Sequence, residues 1–417
     1  MYGQNEPWKE AVISEWKKRR GYEKSVSKIS FPLISNTTGE EELIAMVDTL
    51  LSNQLTLGPR VKEFEDAFAR WVGAPYACMV NSGSSANLLA IAVACNPERK
   101  VYLRTGDEVL VPAVCWSTSV FPLMQNGLKP VFVDCDPRTM NMDLADMKRK
   151  ITKATKGVVL VHVLGNSCPM EKCMDLCREH GLIVVEDTCE SLGSLVRIHG
   201  AAPKYLGTLG DFGSYSFYYS HHLTSGEGGM VVCNTVEDYN LVRCLRAHGW
   251  SRHRLDVKEC DARHPEIDSR FNFVNVGFNL RPLEVQAAMA LVQLKDLQRA
   301  NQQRTRAGPR SLEQPHALLR APCLPHALCS ATRPLLCHTL CSLLLCCHTR
   351  SALTRLAFDP LRGKGATTSR LSTTRSTPTR ATRASSRSSS PLRVATPRGL
   401  GSRACSTPRW PTSKRST

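Results

Sequence analysis

Short apolar runs alternate with longer segments in which apolar residues recur every three or four positions. The short runs predict buried strands, and the periodic segments predict amphipathic helices. The predicted strands are YACMVN (76–81), DEVLVP (107–112), KPVFVD (129–134), GVVLVH (157–162), LIVVED (182–187) and GGMVVC (228–233). The predicted helices are SSANLLAIAVAC, WSTSVFPLMQNG, MEKCMDLCREHG and VEDYNLVRCLRAHG between the strands, with EEELIAMVDTLLSNQ and VKEFEDAFARWVG before them. This alternation predicts an α/β domain with a mostly parallel central sheet that is covered by helices on both faces.

The composition of the chain changes near residue 300. Residues 301–417 contain 20 Lys and Arg against 2 Asp and Glu, whereas residues 1–300 contain 34 against 35. The formal net charge of +17 therefore belongs to the last segment, and the near-neutral body gives no reason to expect a nucleic-acid partner. We predict an N-terminal segment (1–35), a large domain (36–300) and a low-complexity basic tail (301–417).

The tail shows no helical or strand period and is rich in Ser, Thr, Arg and Pro. That composition predicts disorder. The abrupt loss of acidic residues also fits translation in a wrong reading frame, and a functional basic arm is the rival interpretation. The apolar stretch LLCHTLCSLLLCC is too short and too interrupted to span a bilayer, so we expect no membrane partner.

The 18 cysteines predict neither a disulfide framework nor a metal site. The opening residues lack the apolar core of a signal peptide, so we expect a cytoplasmic protein with reduced thiols. Cys168, Cys173 and Cys177 have the spacing of neither a zinc knuckle nor a redox pair. Six further thiols lie in apolar stretches and are expected to be buried: Cys78, Cys95, Cys115, Cys135, Cys189 and Cys233.

The first candidate site is a turn of small residues, Asn81-Ser-Gly-Ser-Ser-Ala-Asn87, between the first strand and an apolar helix. Backbone N–H groups and hydroxyls at a helix N-terminus suit a phosphate. A simple helix cap at Ser84 or Ser85 is the alternative.

Two further candidates follow predicted strands, where ligands of such sheets are expected to bind. Trp116 begins the helix after the second strand, and its indole can stack on a flat ring; a tryptophan packed in the core is the alternative. Asp187 ends the fifth strand and can pair with a protonated ring nitrogen, or it can cap the next segment.

The stretch GSYSFYYSHHLTSGEGG (213–229) completes a series of ordered motifs. A Gly-Ser-Ser turn, an aromatic residue, a Glu-Asp strand end and a Ser-Phe segment before Gly-Glu-Gly-Gly together resemble the DegT/DnrJ/EryC1/StrS family. GFNLRPLEVQAA (277–288) adds to a likeness that covers residues 30–300. The resemblance implies an aspartate-aminotransferase-like large domain (fold type I) that uses pyridoxal or pyridoxamine phosphate on nucleotide-linked keto sugars. The family's small C-terminal domain is expected after residue 300, where this chain has the tail.

The resemblance also implies roles for individual residues. Phosphate contacts fall on Gly83, Ser84, Ser85 and Ser216. Trp116 stacks on the cofactor ring, Asp187 meets its nitrogen, and Glu190 lies near its hydroxyl. Asn279 and Arg281 belong to a segment that reaches across a homodimer interface.

The departure from the family pattern is His221. Aminotransferases of the family carry a lysine four residues after the phenylalanine, and here that place, counted from Phe217, is a histidine. Imidazole forms no stable covalent link with the cofactor, which is then held non-covalently, but it moves protons near neutral pH. The departure resembles the dehydratase branch, in which the C3 hydroxyl of a 4-keto-6-deoxy sugar nucleotide is removed. His221 becomes the catalytic base, and His222 is expected to pack.

In the branch that this chain resembles, the version that uses an iron–sulfur cluster carries a Cys-x-Cys pair downstream of the histidine. This chain carries no such pair after His221 in the body, so no iron–sulfur cluster is expected. The resemblance to the cluster-free version implies glutamate as the amino donor. We therefore predict a 3-dehydratase of deoxysugar or lipopolysaccharide-type polysaccharide biosynthesis. Two alternatives stay open: an aminotransferase-like enzyme with an altered reaction, and an inactive, truncated homologue.

Overall fold

The computed structural model describes the backbone of residues 6–26 and 38–312 and the side chains of residues 6–20 and 38–306. The predicted tail from residue 313 onward lies outside this part of the chain. Within the described part, no helix has the length and apolar character needed to cross a membrane.

The central feature is a seven-stranded sheet in the order β1-β9-β8-β5-β4-β2-β3. Only β9 runs antiparallel to its neighbours in that sheet. The strands of the sheet are β1 (Tyr76–Val80), β2 (Glu108–Pro112), β3 (Lys129–Val133), β4 (Thr155–Val161), β5 (Ile183–Asp187), β8 (Phe212–Ser216) and β9 (Gly229–Cys233). A small antiparallel pair is formed by β6 (Leu195–Val196) and β7 (Lys204–Tyr205). The mostly parallel sheet predicted from the sequence is confirmed.

The helices are α1 (Pro7–Val26), α2 (Glu40–Leu51), α3 (Pro59–Val72), α4 (Gly83–Ala94), α5 (Ser117–Gln125), α6 (Leu144–Lys150), α7 (Met170–Glu179), α8 (Val236–Arg246), α9 (Val257–Ala262) and α10 (Glu284–Leu312). All six predicted strands and all six predicted helices are present. The pattern missed β8, because Gly, Ser and Tyr dominate that strand. It also missed the short elements β6, β7, α6 and α9, and the long helices α1 and α10. Helix α10 continues past residue 300, where the predicted large domain ends.

Alternate strand positions send side chains to opposite faces of the sheet. One set, which includes Val159, Val185 and Val231, packs against α4 and α8. The other set packs against α3 and α10 near β1, β8 and β9, and against α6 and α7 near β2, β4 and β5. The expectation that helices cover both faces is thus confirmed, and the strand ends are left free to carry polar groups.

The cysteines follow this division. Cys78 and Cys233 lie on strands and are buried, as are Cys168, Cys173 and Cys177. The expected burial is wrong for Cys95, Cys115, Cys135 and Cys189, which are only partly buried. Cys95 is the C-cap of α4, and the other three follow the ends of β2, β3 and β5, where the sheet no longer covers them.

Glu284 fixes the start of α10 to the start of α3. Its carboxylate accepts hydrogen bonds from the backbone N–H groups of Gly58 (2.7 Å), Arg60 (2.8 Å) and Val61 (3.0 Å). The side chain is fully buried. A carboxylate at this position satisfies unpaired N–H groups of the first turn and opposes the positive end of the helix dipole.

We expect Glu284→Gln to lower the free energy of unfolding by about 2–4 kcal/mol, because an amide turns a donor toward backbone donors and removes the charge. Urea unfolding followed by circular dichroism measures the effect. Glu63→Gln is the matched control, since Glu63 lies exposed on α3 and makes one surface ion pair with Arg60. Equal midpoints for the two variants would contradict this role of Glu284.

Candidate active site

The turn after β1 places a helix N-terminus at the carboxyl end of the parallel strands. Ser82 is the N-cap of α4, and its Oγ accepts a hydrogen bond from the backbone N–H of Ser85 at 3.1 Å. The capping alternative for Ser84 and Ser85 is therefore excluded. Ser84 is exposed, and its hydroxyl donates to Thr118 Oγ1 at 3.1 Å. The first turn of α4 can thus offer an anion its unpaired backbone N–H groups and the exposed side chain of Ser84.

Two glycines allow this turn to lie against the sheet. A Cβ added at Gly83 would overlap the side chain of Ser216, and one added at Gly229 would overlap the carbonyl oxygen of Ser82. Ser216, the last residue of β8, is therefore packed directly beneath the turn. The structure brings Gly83, Ser84, Ser85 and Ser216 together, as the predicted phosphate site requires.

Trp116 stands beside this turn at the N-cap of α5. Its exposed fraction is 70%, so the core-packing alternative is excluded. The Ser84–Thr118 hydrogen bond joins the first turns of α4 and α5. The short segment 116–119 thereby supplies the exposed indole of Trp116 and the hydroxyl groups of Thr118 and Ser119 to the same site.

Asp187 is buried at the end of β5, and its carboxylate is held on both oxygens. Oδ2 accepts from Asn87 Nδ2 (2.8 Å) and from Ser119 Oγ (2.7 Å). Oδ1 accepts the backbone N–H of Cys189 at 3.2 Å. That contact is the longest of the three and leaves Oδ1 the freer oxygen for a ligand donor.

Glu186, the neighbouring carboxylate, points to the other face of the sheet because strand side chains alternate. It accepts from the backbone N–H groups of Gly207 (2.9 Å), Leu209 (2.8 Å) and Gly210 (2.7 Å). Burial opposes its charge, but the bonds from His162 and these amides hold the pKa of Glu186 below its usual value. The strand-end pair thus divides into a structural Glu186 and a site-facing Asp187.

His221 lies in the connection between β8 and β9. The connection begins at Phe217, which is fully buried and packs edge-on against Phe64 and Phe68. The backbone N–H of His221 donates to the carbonyl of Tyr218 at 3.0 Å. Burial lowers the pKa of His221, while the carboxylates of Glu190 and Asp187 act in the opposite direction. His221 therefore lies near the site carboxylates and is mainly neutral at pH 7.

His222 has different charged neighbours from those of His221. Burial, together with the charges of Arg304 and His221, lowers the pKa of His222 to about 4. Arg304 belongs to α10, so the charge that acts most on His222 comes from that helix and not from Asp187. The Nδ1 atom of His222 is buried without a described hydrogen-bond partner, and the packing role stays a prediction.

The two remaining predicted cofactor contacts, Glu190 and Asn279, lie on different segments of the chain. Glu190 is exposed, and its Oε2 accepts the backbone N–H of Leu164 in the loop after β4 at 3.1 Å. Asn279 is exposed beside the end of α8, where its Oδ1 accepts from Arg281 Nε at 2.9 Å. No described hydrogen bond joins Asn279 to the serines or to Asp187, but the next residue, Leu280, accepts the backbone N–H of Asn81, the first residue of the candidate turn, at 3.1 Å. The cofactor contact of Asn279 stays a prediction.

Sequence reasoning missed Asn87, Ser119 and Ser214. Asn87 is a buried polar residue in the otherwise apolar helix α4, one turn after Ser84, and that isolated polarity was a usable signal. Ser119 lies in the first turn of α5 and is also buried. Ser214 lies on β8, the strand that the pattern did not show.

A model of the DegT/DnrJ/EryC1/StrS aminotransferase family matches residues 36–314. The chain belongs to this family. The resemblance inferred from the ordered motifs is confirmed, and so is the α/β large domain that it implied.

Several members of the family are similar to this chain. GDP-4-keto-6-deoxy-D-mannose 3-dehydratase of Yersinia pseudotuberculosis is 41% identical over 271 residues, which are 64% of this chain and 67% of that protein. The protein of the same name from Escherichia coli O55:H7 is 40% identical over 277 residues, 65% of this chain and 69% of that one. A solved structure of the E. coli 3-dehydratase with bound hydrated PLP has a TM-score of 0.58 and 38% identity, and the match covers 66% of this chain and 69% of that one.

Proposed function

We propose that this protein is a vitamin B6-dependent 3-dehydratase that acts on a nucleotide-linked 4-keto-6-deoxy sugar. The observation that carries the proposal is His221, placed near Asp187 and Glu190 where the family's aminotransferases carry lysine. The similarity to two GDP-4-keto-6-deoxy-D-mannose 3-dehydratases supports it and makes that GDP-sugar the first substrate to test.

A second similarity supports the same residue. One related solved structure is a 3-dehydratase variant in which adjacent serine and histidine residues are changed to asparagine and lysine. Ser220 and His221 form the only Ser-His pair in this chain. This match supports His221, rather than His222, as the residue that replaces the lysine.

The donor set fits pyridoxal or pyridoxamine phosphate. A dianionic phosphate suits the first turn of α4 with Ser84, Ser85 and Ser216, an aromatic ring suits the open face of Trp116, and a ring N–H suits Asp187. Bound in this way, the cofactor supplies an amino group that reacts with the sugar carbonyl and a protonated ring that accepts electrons.

The chain's own residues then have distinct tasks. Asp187 keeps the proton on the ring nitrogen, because a carboxylate favours a nearby cation. His221, neutral and close to Asp187, removes and returns a proton beside the reacting carbon. Trp116 covers one face of the ring, and Glu190 remains a candidate contact for the ring hydroxyl.

The overall reaction balances with glutamate as reductant. The sugar loses its C3 hydroxyl and gains a hydrogen at C3, while glutamate is oxidised to 2-oxoglutarate and its nitrogen leaves as ammonium. This assignment draws support from a related 3-dehydratase structure with a trapped PLP-glutamate geminal diamine. The protein would work in the cytoplasm, as a homodimer in which Asn279 and Arg281 approach the partner's cofactor, in deoxysugar or polysaccharide biosynthesis.

Turnover of GDP-4-keto-6-deoxymannose by the full chain tests the proposal. With pyridoxamine phosphate and glutamate added, we expect the product to lack the C3 oxygen by mass spectrometry and 2-oxoglutarate to form in equal amount. A product with an amino group at C4 would instead indicate an aminotransferase-like reaction. No turnover by a folded protein would indicate an inactive homologue, and either result would overturn the dehydratase assignment.

A further inference from the structure

The charge of Asp187 has no cationic partner among the described side chains. No ion pair in residues 38–306 includes this carboxylate. The titratable groups that face it are His221 and the thiols of Cys115 and Cys189. Burial, reinforced by the charge of Asp187, raises the pKa of Cys115 to about 11, and the same causes raise the pKa of Cys189 well above its usual value. Burial lowers the pKa of His221, so none of the three is mainly charged at pH 7.

Hydrogen bonds must therefore stabilise the carboxylate of Asp187. Among the donors, Asn87 is the one whose orientation is set by a second buried side chain. Ser214 Oγ donates to Asn87 Oδ1 at 2.5 Å, which leaves the amide NH2 group turned toward Asp187 Oδ2 at 2.8 Å. All three side chains are at least 95% buried. A buried amide held on both sides has one orientation, because the reverse would place two acceptors together.

We infer that Asn87, oriented by Ser214, is a positioning residue that holds the carboxylate of Asp187 with its Oδ1 directed at the cofactor's ring nitrogen. The inference rests on the proposed function, since it assumes a pyridine ring in this site. Asn87 and Ser119 occupy Oδ2 together, so the lone pairs that remain for the ring N–H are those of Oδ1. The pair acts on the reaction only through Asp187 and touches no reacting atom.

Asn87 and Ser214 lie on the same helix and strand as the predicted phosphate contacts. Asn87 lies one helical turn from Ser84 on α4, so one rigid helix carries the phosphate end of the site and the support for its ring-nitrogen end. Ser214 lies on β8, two residues before Ser216 and on the same face. The distance between the two ends of the cofactor site is thereby fixed by regular secondary structure rather than by loops.

The test uses ring-¹⁵N-labelled pyridoxamine phosphate bound to the full chain, with the ¹⁵N chemical shift followed from mildly acidic to alkaline pH. In the unchanged protein we expect the ring nitrogen to stay protonated well above neutrality. Asn87→Leu, which removes the amide at similar volume, should lower the deprotonation midpoint by about one pH unit and kcat by about tenfold. Ser214→Ala should shift the midpoint in the same direction by less, and the double variant should add little to Asn87→Leu.

Asn96→Ala is the matched control, because Asn96 is a buried amide just beyond the other end of α4 that bonds Asn275 at 2.8 Å. It should leave the midpoint unchanged. If Asn87→Leu does not fold, Ser119→Ala removes the second donor to Oδ2 and should also lower the midpoint. An unchanged midpoint in a folded variant that binds the cofactor would overturn the role of Asn87 alone. Failure of the unchanged protein to bind the cofactor would overturn the proposed function, and this inference with it.

Discussion

His221→Asn is expected to reduce turnover by about 10²–10⁴-fold while the affinity for pyridoxamine phosphate changes little. Loss of a positioned general base has that magnitude. Asparagine retains a similar size in the connection after β8 but has no group that takes up a proton near neutral pH. Single-turnover formation of the 3-deoxy product measures the loss, and fluorescence quenching of Trp116 by the cofactor measures binding.

His222→Asn is the matched control for that experiment. His222 is the adjacent residue of the same type, but its neighbour is Arg304 on α10. We expect its turnover to stay within about threefold of the unchanged protein. A large loss in His222→Asn with an active His221→Asn would transfer the role of base to His222.

The pH dependence has a defined sign. A base acts in its neutral form, and burial lowers the pKa of His221, so kcat/KM should hold at mildly acidic pH and fall only as the pH drops through that lowered value. The charge of Glu190 raises the pKa of His221 against this trend. Glu190→Gln should therefore move the acid limb of the profile to lower pH.

Asp187→Asn is expected to reduce turnover by about 10²–10³-fold. Leaving a buried charge without its partner costs about 3–5 kcal/mol, and each 1.36 kcal/mol of transition-state stabilisation corresponds to about tenfold in rate. The substituted amide would keep the size of the side chain but would no longer hold a proton on the ring nitrogen. Loss of the protonated-ring ¹⁵N signal in this variant is the direct measurement.

Asp211→Asn provides the comparison for Asp187→Asn. Asp211 is a partly buried carboxylate directly before β8, at the amino end of that strand, whereas Asp187 lies at the carboxyl end of β5. Asp211 pairs with Arg99 at 3.1 Å. This variant should unfold more easily and yet retain the ring-nitrogen signal and most of the turnover. Equal losses in both variants would show that the effect of Asp187→Asn comes from stability rather than from the site.

Most strands of the sheet could be predicted from the sequence because each is a short apolar run of its own. Runs such as GVVLVH and LIVVED are buried on both faces, and no partner strand needs to be known to recognise them. The same pattern failed for β8, whose Gly213, Ser214 and Ser216 are small because α4 and the loop at Gly207 lie close to them. The close approach of other segments to β8 depends on the tertiary structure. It requires small residues in the strand, so the sequence of β8 has no apolar run by which a strand could be predicted.

The candidate site divides in the same way. Trp116 and Asp187 were predicted because they lie at the ends of predicted strands, and such ends meet on one side of a parallel sheet. His221 was predicted from the resemblance to the family, as the residue four places after Phe217. The choice between Asp187 and Glu186 agrees with strand alternation. Which serine caps α4, and whether Trp116 is open or buried, depended on neighbours that no local pattern specifies.

The sequence by itself determined the sheet, the order of the motifs and the histidine in place of lysine, because these depend on local burial and residue identity. Only the tertiary structure decided how Asp187 is held. Asn87, Ser119 and Ser214 come from α4, α5 and β8, separated by as many as 127 residues along the chain. Hydrogen-bond partners that distant are brought together by packing, and no period or spacing in the sequence records which of them will meet.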